Sequence, residues 1–247
     1  MSLQPLIAGV LALLALASLT ACQSTQSRSA ELEEEGSKVL LESSGLKVTK
    51  ANPDVRVLST TLLSEPEASA VVVEVHNDSD VNMVDVPIAV DVLDKKGRSV
   101  YRNDAPGLEQ ALVAIPYLPA GADALWINDQ ILASGKPASA RVKVGVSPNT
   151  WSGALPEIEV SAPKVEAGRI ASGHVVNRTG EDQNRLLLYA VARRGDEIVA
   201  AGRGAFEHLK PETKELPYHV YFVGDPSGAK VTVTQYPTLH AAEAGGA

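Results

Sequence analysis

The sequence predicts an all-β protein: two tandem antiparallel β-sandwich domains of immunoglobulin-like type, behind an apolar N-terminal segment and a flexible tether. Three observations carry this expectation. Past residue 55 the apolar residues recur with period two or in short runs bounded by turn residues, as strands do. The same order of strands and turns then appears a second time, from Ile170 onward. No stretch of helical period is long enough to supply the crossover helices of a parallel sheet.

The N-terminus comes first. After Met1-Ser2-Leu3-Gln4-Pro5 the chain is apolar from Leu6 to Leu19, shorter than the roughly 20 apolar residues a spanning helix needs and suited to a signal-peptide core. It closes on Leu19-Thr20-Ala21-Cys22, where small residues admit a peptidase and the thiol is the nucleophile that takes up lipid. This stretch resembles the lipobox of bacterial lipoproteins. Cleavage before Cys22 makes residues 1–21 the signal peptide and Cys22 the acylated first residue. The lone cysteine supports this, because exported chains ordinarily use cysteines in pairs. Gln23 in the second mature position resembles the pattern sorted to the outer membrane where a cell has two membranes.

Residues 22–45 are polar and acidic and read as a lipidated tether, although Ser29 ahead of Glu31–Glu35 also suits the cap of a short helix through Leu40-Leu41. The first sandwich is expected over residues 46–147. Val71 to Val75 is a strand stopped at Asn77-Asp78-Ser79-Asp80, and Val86 to Leu93 is the next. Asp94-Lys95-Lys96-Gly97 places Asp first and Gly fourth in a type I turn. Arg98 to Tyr101, Ala124 to Ile127 and Ala140 to Val146 are further strands.

The second sandwich is expected over residues 157–240, after a linker at 148–156 stiffened by Pro148 and Pro156 and centred on Trp151. Ile170 to Val176 is a strand stopped at Asn177-Arg178-Thr179-Gly180. Leu186 to Ala192, the turn Ala192-Arg193-Arg194-Gly195 and Glu197 to Ala200 follow. Leu209-Lys210-Pro211-Glu212 mirrors Leu118-Pro119-Ala120-Gly121, and Val220 to Phe222 and Ala229 to Val233 complete the set. The two are expected to fold separately with few contacts across the linker. Residues 241–247 read as a disordered tail.

The repeat resembles the FxLYD-type domain, an immunoglobulin-like module of bacterial and archaeal extracytoplasmic proteins. Val90-Asp91-Val92-Leu93-Asp94 occupies the place of its naming motif, keeping Asp94 and carrying aliphatics for both aromatics. Leu188-Tyr189-Ala190-Val191-Ala192 occupies it in the second copy. The Asn-x-Ser/Thr turns at Asn77 and Asn177 look like the family's. The resemblance implies a fold and a location outside the cell, with no shared catalytic residues.

A formal net charge of −8 argues against nucleic acid, whose phosphates demand a basic face, and against electrostatic attachment to anionic lipid. The acyl group on Cys22 is then the membrane anchor. With only 4% aromatics, the cores must rest on aliphatic residues.

Catalytic and ligand motifs are absent from the sequence: no Gly-x-Ser-x-Gly elbow and no phosphate loop. His76, His174, His208, His219 and His240 stand at no metal-binding spacing. His76 and His174 lie in corresponding strands, and opposite faces are expected for them. Asp78, Asp80 and Asp85 near Asn77 lack the ordered acidic spacing of a calcium loop. Asn77, Asp94, Gly97, Asn177, Gly180 and Gly195 are assigned to structural turns, in which Asn tolerates left-handed dihedrals and bonds its own backbone. No enzyme, cofactor or metal is expected. The leading expectation is an envelope interaction or scaffold lipoprotein presenting its modules to a protein or cell-wall partner. The alternative is a small-ligand or substrate-binding lipoprotein serving a transporter, and a hydrolase with an unrecognised site is disfavoured.

Overall fold

The computed structural model describes residues 48–211 and 214–239. The expected signal peptide, Cys22, the expected tether, Glu212, His240 and the expected tail lie outside the described residues. The protein is a stack of antiparallel sheets, as expected. In the N-terminal half β1 (Val55–Ser64), β2 (Ser69–Asn77) and β6 (Asp123–Asn128) form one sheet in the order β1-β2-β6. A second sheet is built around the long strand β3 (Met83–Leu93), flanked by β4 (Ser99–Arg102), β5 (Ala114–Leu118), β7 (Ser139–Val144) and β8 (Asn149–Thr150).

β3 alternates with period two, and Val86, Ile88, Val90 and Val92 point into the first core with Val71, Val73, Val75 and Trp126. It changes partners along its length. Met83–Pro87 pairs with β5, and Met83 and Val84 also with β8, whereas Ile88–Leu93 pairs with β7 and Asp91–Leu93 with β4. Pro87 falls at this switch, where a missing N–H costs least. The one helix of the described residues, α1 (Gln110–Val113), is a single turn leading into β5. It is too short to cross a membrane.

The C-terminal half repeats the plan. β11 (Ile170–Asn177) takes the place of β2, between β14 (Leu216–Tyr221) on one side and β9 (Ile158–Val160) and β10 (Lys164–Glu166) on the other. β12 (Leu186–Arg194) takes the place of β3, in the order β15-β13-β12-β16, with β13 at Glu197–Phe206, β15 at Val223–Gly224 and β16 at Lys230–Tyr236. Ala171, Val175, Leu186, Leu188, Ala190 and Val220 form its core.

Three details depart from expectation. β12 runs through Arg193 and Arg194, and Arg194 pairs with Glu197, so Gly195 leads a two-residue hairpin loop instead of ending a turn begun at Ala192. His76 and His174 stand on the same side of their strands, away from the cores that Val75 and Val175 enter; each lies an odd number of residues before its matched Asn. The expectation of few contacts across the linker does not hold either. The described residues cluster as one compact unit, and a third buried cluster joins its halves.

Candidate functional site

The third cluster explains two apolar runs that lack alternation. β2 reads Ser-Ala-Val-Val-Val, and Val71 and Val73 enter the first core while Val72 faces the other way. β12 reads Leu-Leu-Leu-Tyr-Ala-Val-Ala, with Leu186, Leu188 and Ala190 in the second core and Leu187, Tyr189 and Val191 turned toward Val72. Both strands are buried on both faces, which is the condition for a continuous apolar run. Val84, Ala111, Tyr117 and Ile127 of the N-terminal half and Ile198, Ala201 and Tyr236 of the C-terminal half also belong to this seam, and Leu125 and Trp151 pack against it. Tyr189 and Tyr236 meet at 4.9 Å between ring centroids. The Tyr236 hydroxyl donates to the Leu125 carbonyl at 2.9 Å, and burial holds its pKa up, at about 12.

Charge at the seam is sorted by half. Glu65 pairs with Arg169 at 2.7 Å, and Glu74 with Arg193 at 2.5 Å. Glu109 pairs with both Arg185 and Arg203, the latter at 3.2 Å. Asp129 accepts the Arg203 backbone N–H at 2.8 Å and lies 3.6 Å from its guanidinium. Each acid belongs to the N-terminal half and each arginine to the C-terminal half. The Arg203 side chain is only 5% exposed. Burial raises the Asp129 pKa, and Arg203 opposes that rise.

Beside this network the seam opens into a cavity of about 260 Å³. Val84, Leu187, Tyr236 and Leu239 supply apolar walls, and Asp85, Gln110 and Arg185 line it with polar groups. Asp85 has φ 52° and Arg185 φ 75°, left-handed values that side chains with a Cβ rarely adopt. Burial raises the Asp85 pKa, and the Gln110 side chain pulls against it. The Arg185 Nε is buried without a hydrogen-bond partner among the described residues. A larger depression of about 710 Å³ lies between Ser64–Ser69 and Ile131–Pro137, but its Glu65 is already committed to Arg169.

The sequence-assigned turn residues stand away from this cavity. Asn77 is fully buried: its Oδ1 accepts from the Ser79 N–H and hydroxyl at 3.0 and 2.7 Å, and its Nδ2 donates to the carbonyls of Val81, Leu118 and Pro119. Asn177, equally buried, accepts from Thr179 and donates to the Glu181 and Leu209 carbonyls, both at 2.8 Å. Each Asn thus ties its turn to the loop after a later strand. Asp94 accepts the N–H groups of Lys96 and Arg98, and Gly97 closes the turn at φ 76°. Gly195 has φ 62°, while Gly180 is exposed and its φ is not left-handed. Sequence reasoning missed the seam residues, whose signal was the unbroken apolar runs. Among the described residues, no group of three or more His, Cys, Asp or Glu is placed to hold a metal.

No protein-family model and no curated protein matches the chain.

Proposed function

We propose that this is a non-catalytic, exported lipoprotein, anchored through Cys22 and built of FxLYD-type modules, that presents a rigid two-part body to a protein or cell-wall partner in the envelope. The observation that carries the reading is the seam. An apolar face shared by both halves and closed by sorted ion pairs holds their loops in one fixed geometry, as a presenting scaffold requires. Crosslinking on intact cells, followed by mass spectrometry, tests it. The expected result is one recurrent envelope partner, lost when Cys22→Ser releases the protein from the membrane. Retention of the Cys22→Ser protein at the membrane in its mature size contradicts the anchor. Full cellular function of a soluble form contradicts surface presentation.

The seam cavity supports a second reading, in which the same body binds a small ligand. Clefts between packed units are common places for such sites, and this one combines apolar walls with a few convergent polar groups.

A further inference from the structure

We infer that the seam cavity binds a small zwitterion: a free amino acid or very short peptide, with its amine on Asp85 and its carboxylate on Arg185. The inference rests on the small-ligand reading above and specifies its ligand. Asp85 and Arg185 hold the same place in the repeat, each eight residues after its matched Asn (77 to 85, 177 to 185), where the chain enters the central strand of its sheet. Both have left-handed backbones, and among the other non-glycine residues described only Ala167 shares that feature. Such a backbone persists only where the surrounding structure enforces it, and it fixes the direction of the side chain. The repeat thus brings two equivalent, conformationally fixed positions to one cavity, and they carry opposite charges.

These charges are not spent on each other. No ion pair joins Asp85 to Arg185 within 4.0 Å among the described residues; Arg185 pairs with Glu109 through Nη2 and keeps a buried Nε–H without a partner. The Asp85 carboxyl meets the Gln110 side chain. Glu109 and Asp129 engage Arg185 and Arg203, which leaves the Asp85 carboxyl and the unpartnered Arg185 Nε–H as separated poles of opposite sign. A neutral molecule with a cationic and an anionic end satisfies both poles through charge-assisted hydrogen bonds, whereas a simple anion or cation leaves one unmet. Val84, Leu187, Tyr236 and Leu239 offer an aliphatic body its contacts, and about 260 Å³ suits one amino acid or a dipeptide of modest side chains.

Calorimetric titration of the full-length protein tests this, with leucine, the dipeptide alanyl-leucine, the C-terminal amide of that dipeptide, and its N-acetyl derivative. Saturable one-to-one binding of a zwitterionic probe is expected, weaker by about tenfold or more when either end is blocked. Asp85→Asn should weaken the dipeptide while leaving the N-acetyl form unchanged. Arg185→Gln should weaken the dipeptide while leaving the amide unchanged. Because Arg185→Gln also breaks the Glu109 pair, its fold is checked by thermal melting. Leu239→Trp, at a half-buried wall position, should abolish binding with the melt preserved. Absence of saturable binding for both zwitterions overturns the inference, as does binding indifferent to Asp85→Asn and Leu239→Trp. If the amide and the N-acetyl derivative bind as tightly as alanyl-leucine, the cavity takes small ligands but the zwitterion assignment is wrong.

Discussion

Arg193 on β12 donates to Glu74 on β2 at 2.5 Å, and each side chain is 28% exposed. The pair borders the seam one strand position of the same face beyond Val191 and Val72, its apolar neighbours. A part-exposed ion pair of this kind contributes only about 0–1 kcal/mol, so it is not what holds the halves together. Its role is orientation: acids on one side and arginines on the other favour a single alignment of two faces that apolar contact alone would leave free to slide.

The first prediction separates these roles. Leu187 is 5% exposed in the seam, and Leu187→Ala should cost about 2–5 kcal/mol through lost burial and the cavity left behind. Because the cluster is shared, urea denaturation followed by probes in each half should show both transitions shifted together. Glu74→Gln should shift them by about 1 kcal/mol at most. A Leu187→Ala protein whose N-terminal half melts unchanged contradicts the shared seam.

A second prediction isolates the donor half of the buried asparagines. Asn77→Asp keeps the oxygen that accepts from Ser79 and replaces the nitrogen that donates to three carbonyls. A fully buried carboxylate facing carbonyls should cost about 3 kcal/mol or more. Asn177→Asp should act alike in its own half. Differential scanning calorimetry reads both, and a change under about 0.5 kcal/mol in either would show that turn to be held by other contacts.

The hairpin glycines give a third. A Cβ added at Gly97 or Gly195 meets no atom within 4 Å, so the cost of alanine is that of the left-handed backbone alone, about 1 kcal/mol. Gly97→Asn should cost less than Gly97→Ala, because Asn tolerates this region. Equal losses for the two would point to a contact instead of the backbone.

Asp85 carries a pH prediction. Burial raises its pKa, so the folded state binds the proton more tightly than the unfolded chain does. The ionised group therefore destabilises the fold above its folded pKa, and that penalty fades as pH falls below the ordinary carboxylate value. Asp85→Asn should accordingly raise the melting temperature at pH 7 and lose its advantage near pH 3. Asn also suits the left-handed φ of 52°. A lower melting temperature at pH 7 would mean that the carboxylate is held by an attraction stronger than its burial cost.

Much of the fold was legible because its signals are local. Alternation in Val86–Leu93, the Asn-x-Ser/Thr stops and the hairpin glycines mark strands and turns without reference to distant residues. β1 was not read as a strand, because Val55–Ser64 alternates weakly and every one of its residues is at least partly exposed. The seam was the larger omission. Val71-Val72-Val73 and Leu186–Ala192 are continuous apolar runs, and continuity says that both faces are covered without saying by what. The cavity was out of reach for the same reason, since the meeting of Asp85 and Arg185 depends on how the two copies dock. Each alone reads as a charged residue at a strand entrance.

The two-sided burial of β2 also sets an order of events during synthesis. The first half can assemble its own core as soon as β7 has emerged, but its face with Val72, Leu125 and Ile127 then stays bare until β12, β13 and β16 arrive. β16 ends at Tyr236, so closure waits until the C-terminal half has emerged as far as this strand. Until then the nascent protein carries an open apolar sheet of the kind that attracts holding chaperones or a second, equally unfinished molecule. Truncations within the C-terminal half should therefore be recovered as aggregates or chaperone complexes, even though they contain every strand of the first core.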